Sequence, residues 1–148
     1  AASQGLGKAS ALELAKEGVK LAICSRDEQK IENAAKEIID QTGSEVIHFE
    51  TNLDNDDDIS NLIDSVQSNF GDIDILVNNT GGPKAGFFED LTDDDWIKTF
   101  ESTFLSAIRV TRKVLPPMKR NNWGRIVNIT SSSAKQPIDS NHKGSDCT

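Results

Sequence analysis

The residues best suited to chemistry stand at the front of the chain, in Ala1-Ala2-Ser3-Gln4-Gly5-Leu6-Gly7-Lys8. Gly5 and Gly7 follow a small serine and precede an alanine-rich amphipathic run from Ala9 to Gly18. Glycine has no Cβ, so main chain can come close to a phosphate. The first amides of a helix lack partners inside the helix and point their N–H groups at an anion. The same spacing also serves a tightly packed helix start with no ligand, so the loop alone does not decide between the two. Such a loop ordinarily follows a buried strand. The sequence carries none ahead of Ser3, so the chain is expected to begin just after it.

Arg26 adds weight to the phosphate reading. It lies about twenty residues beyond the glycine loop, directly after the apolar run Val19 to Cys24. An acid at that place would hold a ribose 2′-hydroxyl, whereas an arginine accommodates a 2′-phosphate. Ser25-Arg26 offers a hydroxyl and a cationic fork, which favours NADP(H) over NAD(H). Two plainer readings stay open: Arg26 as a solvated cation and Asp27 as a helix N-cap.

Bulk properties exclude several classes. The chain has 148 residues, a formal charge of −8 and 36% hydrophobic content, enough for one globular domain. An acidic surface argues against nucleic acid, which needs a basic face. Cys24, Cys147, His48 and His142 show no metal-ligand spacing, so no metal site is expected. The lone cysteines suit a reducing, cytoplasmic setting. No apolar run approaches the ~18 residues of a membrane span, and no signal peptide is visible.

Helical and strand patterns alternate. Helices are expected over Leu6 to Glu17, Asp27 to Gln41 and Asp54 to Phe70, and strands over Val19 to Cys24, Glu45 to Phe49 and Asp72 to Val77. Thr92 and Asp95 spell a capping box ahead of a helix from about Asp93 to Val114 or Leu115, which Pro116-Pro117 should halt. A fourth strand covers Gly124 to Ile129. Strands joined by helices pair in parallel with right-handed crossovers, giving an α/β, doubly wound sheet. Ligands of such sheets sit at the carboxyl ends of the strands. Ser25-Arg26, Asn52, Asn79-Thr80-Gly81 and Thr130-Ser131 all fall there. Residues 1–138 are assigned to this partial dinucleotide-binding domain and 139–148 to an unstructured tail.

At this point the chain resembles the short-chain dehydrogenase/reductase family over nearly its whole length, to about Pro137. The opening loop resembles the family's TGxxxGxG, with Ala1 in the place of the first glycine. Asn78-Asn79-Thr80-Gly81 resembles its NNAG signature, and Gly124 to Ser131 resembles the strand that ends in its catalytic serine. The resemblance implies a Rossmann fold in which one more strand lies centrally, between the strand at Val19 and the strand at Asp72. Strands beyond Ser131 are implied too, so the sheet here is expected to be incomplete. A gap should separate two parallel ladders, with unpaired edges on both sides.

Residue roles follow from the same resemblance. Ala1, Ser3, Gln4, Gly5, Leu6 and Gly7 would cradle the cofactor diphosphate; Asn52-Leu53 would meet the adenine; Asn79, Thr80 and Gly81 would line the adenosine ribose. Ser131 would orient a carbonyl, with Ser132 and Ser133 as close competitors. Thr103, seven residues beyond Trp96, takes the place of an asparagine that holds a relay water. The family's Tyr-x-x-x-Lys has no counterpart, since the sequence contains no tyrosine; Gly144 and Thr148 stand at those places. His142 and Lys143 are weak substitutes. The resemblance implies reduction of a ketone or 3-oxoacyl group by NADP(H), a small carbonyl or acyl substrate, and a homo-oligomer paired through the long helix. The alternative is a non-catalytic dinucleotide-binding protein or inactive fragment lacking the proton donor.

Overall fold

The computed structural model describes residues 2–82, 84 and 86–131. Ala1, Ser132, Ser133, the tail from 139 and the places at His142, Lys143, Gly144 and Thr148 lie outside them. The elements in order are α1 (Gly5–Lys16), β1 (Leu21–Ser25), α2 (Glu28–Thr42), β2 (Val46–Glu50), α3 (Asp56–Phe70), β3 (Ile75–Asn78), α4 (Asp93–Phe100), α5 (Ser106–Arg120) and β4 (Arg125–Asn128).

Local chemistry accounts for most of these boundaries. The α1 helix ends in a Schellman motif. Gly18 takes φ 77°, its N–H donates to the Ala15 carbonyl at 2.9 Å, and the Val19 N–H donates to the Leu14 carbonyl at 3.3 Å. Asp27 caps α2 by accepting from the Lys30 N–H. The same bond, followed by the Lys30 ammonium, holds the Asp27 carboxyl below the usual carboxylate range. Asn55 caps α3 by accepting from the Asp57 and Asp58 amides. Three aspartates then fill the first turn of α3, at the positive end of its dipole.

The strands pair in parallel, β1 with β2 from Leu21↔Val46 to Ser25↔Glu50, and β3 with β4 from Ile75↔Arg125 to Asn78↔Asn128. Among the described residues they form two two-stranded sheets with no ladder between them. This is the incomplete Rossmann arrangement that the sequence implied. A cavity of about 720 Å3 runs between the sheets, with Ile23 and Cys24 on one wall and Leu76 and Val77 on the other. The core is divided accordingly. One cluster gathers Ala15, Ile23, Ile31 and Ile38 around α1, α2 and β1. The other gathers Ile59, Ile63, Val110 and Val114 between α3 and α5.

The long helix departs from expectation twice. Pro116-Pro117 does not halt it; α5 continues to Arg120. Proline inside a helix forfeits a hydrogen bond and crowds the preceding turn, at about 3 kcal/mol. The extra turn, however, buries Pro117 and Met118, and Met118 joins the core against α3. Full burial of a side chain of this size is worth about 1.5–3 kcal/mol. The helix is also interrupted between α4 and α5 by a π-helical turn, Glu101–Leu105, a widening that periodicity cannot reveal.

Candidate functional site

The glycine loop is held on the rim by one backbone bond. The Ala2 N–H donates to the Cys24 carbonyl at the end of β1, at 3.1 Å. Gly5 then opens α1 with φ 58°, a conformation that favours glycine. The N-cap residue, Gln4, is extended and makes no side-chain hydrogen bond to the helix. Among the described residues the first-turn amides of α1 are therefore left uncapped by any side chain, the condition under which a helix start binds an anion. Gly7 is buried, so the packing reading holds for that glycine, while Ser3 is half-buried and Gln4, Gly5 and Leu6 are exposed.

At the end of β1 the two expected residues differ in kind. Ser25 is buried, and its hydroxyl is engaged in its own turn, donating to the Asp27 carbonyl at 3.0 Å and accepting from the Asp27 N–H at 3.2 Å. It braces the loop, with its hydroxyl committed to that turn. Arg26 is exposed. It makes no ion pair with any described residue. Its side chain walls a cavity of about 460 Å3 together with Phe49, Asn52, Asp58 and Leu62. Lys30 occupies the neighbouring carboxylate of Asp27 at 3.0 Å, so that acid does not neutralise the guanidinium.

The remaining strand ends sit close to this cavity. Asn52 turns the chain after β2; its side-chain oxygen accepts from the Asp54 N–H at 3.2 Å. Leu53 packs on the α3–α5 core and lines the larger cavity, as do Ala2, Gly7, Asn79 and Thr80. Leu62 belongs to both cavities and forms a shared wall. The structure thus places six of the expected residues on two adjoining hollows. Arg26 and Asn52 line the smaller one; Gly7, Leu53, Asn79 and Thr80 line the larger. Ser3, Gln4, Gly5, Leu6, Ser25, Gly81, Thr103 and Ser131 line neither. The larger hollow is the gap between the two ladders, and Arg26 stands on the wall of the smaller one.

Asn78 is a structural tie. Its Nδ2 donates to Asn128 Oδ1 at 2.8 Å and to Thr111 Oγ1 at 3.3 Å, joining β3, β4 and α5. Thr103 lies in the π-helical turn, half-buried, with its hydroxyl donating to the Thr99 carbonyl at 2.6 Å. Its oxygen retains acceptor capacity for a water but has no donor to spare. Ser131 is exposed, just past the end of β4. Cys24 faces the larger cavity, but burial pushes its thiol up, which disfavours the nucleophilic thiolate.

Sequence reasoning missed the clamp on the loop after β3. Lys84 donates to both carboxylate oxygens of Asp95, at 3.2 and 3.1 Å. Asp95 also completes the capping box of α4, accepting from the Thr92 N–H at 3.1 Å. The Thr92 amide, then Lys84, then the Thr92 hydroxyl hold the Asp95 carboxyl down at about 2. The capping box was legible in Thr92 and Asp95; nothing in the spacing pointed to Lys84.

Among the described residues, no group of three His, Cys, Asp or Glu could hold a metal ion, and no helix is long and apolar enough to cross a membrane. Comparison with known proteins is specific. The short chain dehydrogenase family model matches residues 1–143. The oxidoreductase YvrD of Bacillus subtilis is 34% identical over 137 residues, 92% of this chain and 51% of that protein. The 3-oxoacyl-acyl-carrier-protein reductase of Staphylococcus epidermidis is 32% identical over 130 residues, 88% of this chain and 53% of its own length. A crystal structure of a variant actinorhodin polyketide ketoreductase with NADPH superposes with a TM-score of 0.87 at 33% identity, covering 93% of this chain and 53% of that one. The chain spans about half the length of these relatives.

Proposed function

Because the chain belongs to the short chain dehydrogenase family, we propose that it binds NADP(H) along the carboxyl ends of its strands and serves the reduction of a ketone or 3-oxoacyl carbonyl. The observation that carries this reading is Arg26. It is an exposed guanidinium with no ion-pair partner among the described residues, on the wall of a cavity that shares Leu62 with the hollow lined by Gly7. A planar fork of this kind suits a phosphate monoester and has no comparable use for a bare ribose hydroxyl.

In this reading the uncapped amides after Gln4 receive the diphosphate, and Arg26 receives the 2′-phosphate. Asn79, Thr80 and Gly81 flank the ribose. The nicotinamide supplies the hydride when bound. The Ser131 hydroxyl donates to the carbonyl oxygen of the substrate and orients it, and the Thr103 oxygen holds a water. The exposed Phe100, Phe104 and Ile108 of the long helix face a second copy in a homo-oligomer. A reduced cytoplasmic setting suits the unpaired thiol of Cys24. The finding that an NADPH-bound ketoreductase shares this fold at 33% identity supports the cofactor class and the carbonyl substrate class.

A second reading, dinucleotide binding without turnover, concerns these 148 residues by themselves, which contain no tyrosine to act as the general acid. Titration calorimetry with NADPH, combined with loss of NADPH absorbance in the presence of a generic diketone, separates the two. Binding with turnover that Ser131→Ala abolishes supports reduction. Binding without turnover supports the second reading, and absence of binding removes both.

A further inference from the structure

We propose that the ion pair of Lys84 and Asp95 is a positioning device for the nucleotide: it pins the loop after β3 to the first turn of α4 and so holds Asn79, Thr80 and Gly81 in place before the ligand arrives. This rests on the dinucleotide reading above, and Lys84 acts through those residues without touching the ligand. Asn79 and Thr80 stand on the wall of the larger cavity. The chain then leaves the rim through Gly81 and Gly82, both exposed. A Cβ built on either glycine would meet nothing within 4 Å. No neighbouring side chain among the described residues fixes the path of this stretch, and glycine brings no strong backbone preference of its own. Where the chain is tied next therefore decides where the stretch lies, and the next described side-chain tie is that of Lys84 to Asp95.

The receiving end of the tie is itself held. Asp95 Oδ2 accepts from the Thr92 N–H at 3.1 Å and from the Thr92 hydroxyl at 2.9 Å. The Thr92 hydroxyl oxygen accepts in return from the Asp95 N–H at 3.3 Å. The carboxylate is thus fixed to the helix start before Lys84 reaches it, and its side chain is 19% exposed against 63% for that of Lys84. A second anchor stands one residue further on: the Phe88 ring lies 6.0 Å from that of Trp96, centroid to centroid, at a tilt of 57°. The loop is therefore attached to α4 at two points, and the clamp is the one nearer to Asn79, Thr80 and Gly81. Ordering completed before a ligand binds no longer subtracts from its affinity.

The test is calorimetric titration of NADPH and NADH into the unaltered chain, Lys84→Met, Lys84→Arg, and Lys84→Met combined with Gly82→Ala. Lys84→Met should weaken both nucleotides by about three- to fivefold and leave their ratio unchanged, because the loop meets parts common to both. Lys84→Arg keeps the charge and should stay within about twofold of the unaltered chain. Gly82→Ala narrows the freedom of the unpinned loop, so the double variant should recover about twofold. At about 0.5 M salt the difference between the unaltered chain and Lys84→Met should close, as screening removes the pair from both. Circular dichroism checks the helices; should Lys84→Met fail to fold, Lys84→Gln takes its place. Unchanged affinities in Lys84→Met overturn the inference and leave the dinucleotide reading standing. A loss confined to NADPH overturns it too, since Lys84 would then meet the 2′-phosphate directly, and so does a double variant that recovers nothing. No binding of either nucleotide to the unaltered chain overturns both.

Discussion

Replacing Arg26 by alanine should erase the preference for NADPH over NADH without abolishing dinucleotide binding. A hydrogen bond to a charged group is worth about 1.5–3 kcal/mol when well sheltered. Arg26 is exposed, and Glu50 on the same wall opposes an added phosphate, so about 1–2 kcal/mol is the appropriate range. That is roughly a five- to thirtyfold loss of NADPH affinity, since about 1.4 kcal/mol corresponds to tenfold. NADH carries no 2′-phosphate and should change by less than about twofold. Arg26→Lys keeps the charge but not the planar fork and should fall between the two. The contribution is a surface one, so raising salt from about 0.05 M to about 0.5 M should shrink the difference between the proteins. Calorimetric titration of both nucleotides at both salt concentrations reads all of this. If Arg26→Ala leaves the NADPH to NADH ratio where it was, the guanidinium is a solvated cation and the NADP(H) assignment loses its support.

Further outcomes follow from other parts of the structure. Glu50→Gln should tighten NADPH binding by about twofold and leave NADH unchanged, because one exposed charge near the phosphate is removed. Ile31 and Ile59 are both fully buried but lie in different core clusters. Ile31→Val and Ile59→Val should each cost about 0.5–1.5 kcal/mol in urea unfolding and add within about 0.5 kcal/mol in the double variant. Strong non-additivity would show that the two clusters are one. Gly43 ends α2 at φ 69° with open space around it, so Gly43→Ala should cost about 1–2 kcal/mol through backbone conformation alone, and an unchanged urea midpoint would contradict the left-handed cap. Asp95 titrates at about 2 in the folded chain, below its ordinary 3.8. The stability it contributes is therefore complete above pH 3.8 and lost as pH falls through about 2. Thermal midpoints of the native chain and Asp95→Asn should differ at pH 5 and converge toward pH 2.

What was legible in the sequence and what was not divide along a physical line. Features decided within a few residues could be read: the N-cap at Asp27, the capping box at Thr92 and Asp95, and the glycine that ends α1 at Gly18. The four strands were legible as apolar runs, with edges displaced by one to three residues because pairing partners, not propensity, set where a ladder begins. Features decided by contacts between distant segments could not be read. Pro116-Pro117 obeyed tertiary burial of Met118 and not the local rule against proline. Lys84 reached Asp95 across a loop. In the candidate site the same line explains why residue types were legible but their roles were not. Ser25 and Asn52 both carry groups able to meet a ligand, yet each turns its oxygen to a neighbouring backbone atom two residues on. Small polar side chains beside a chain reversal have that local alternative always within reach. Arg26 has none, since a long guanidinium overshoots the turn it stands in. Arg26, which overshoots its own loop at the end of β1, is consequently the cation left on the cavity wall.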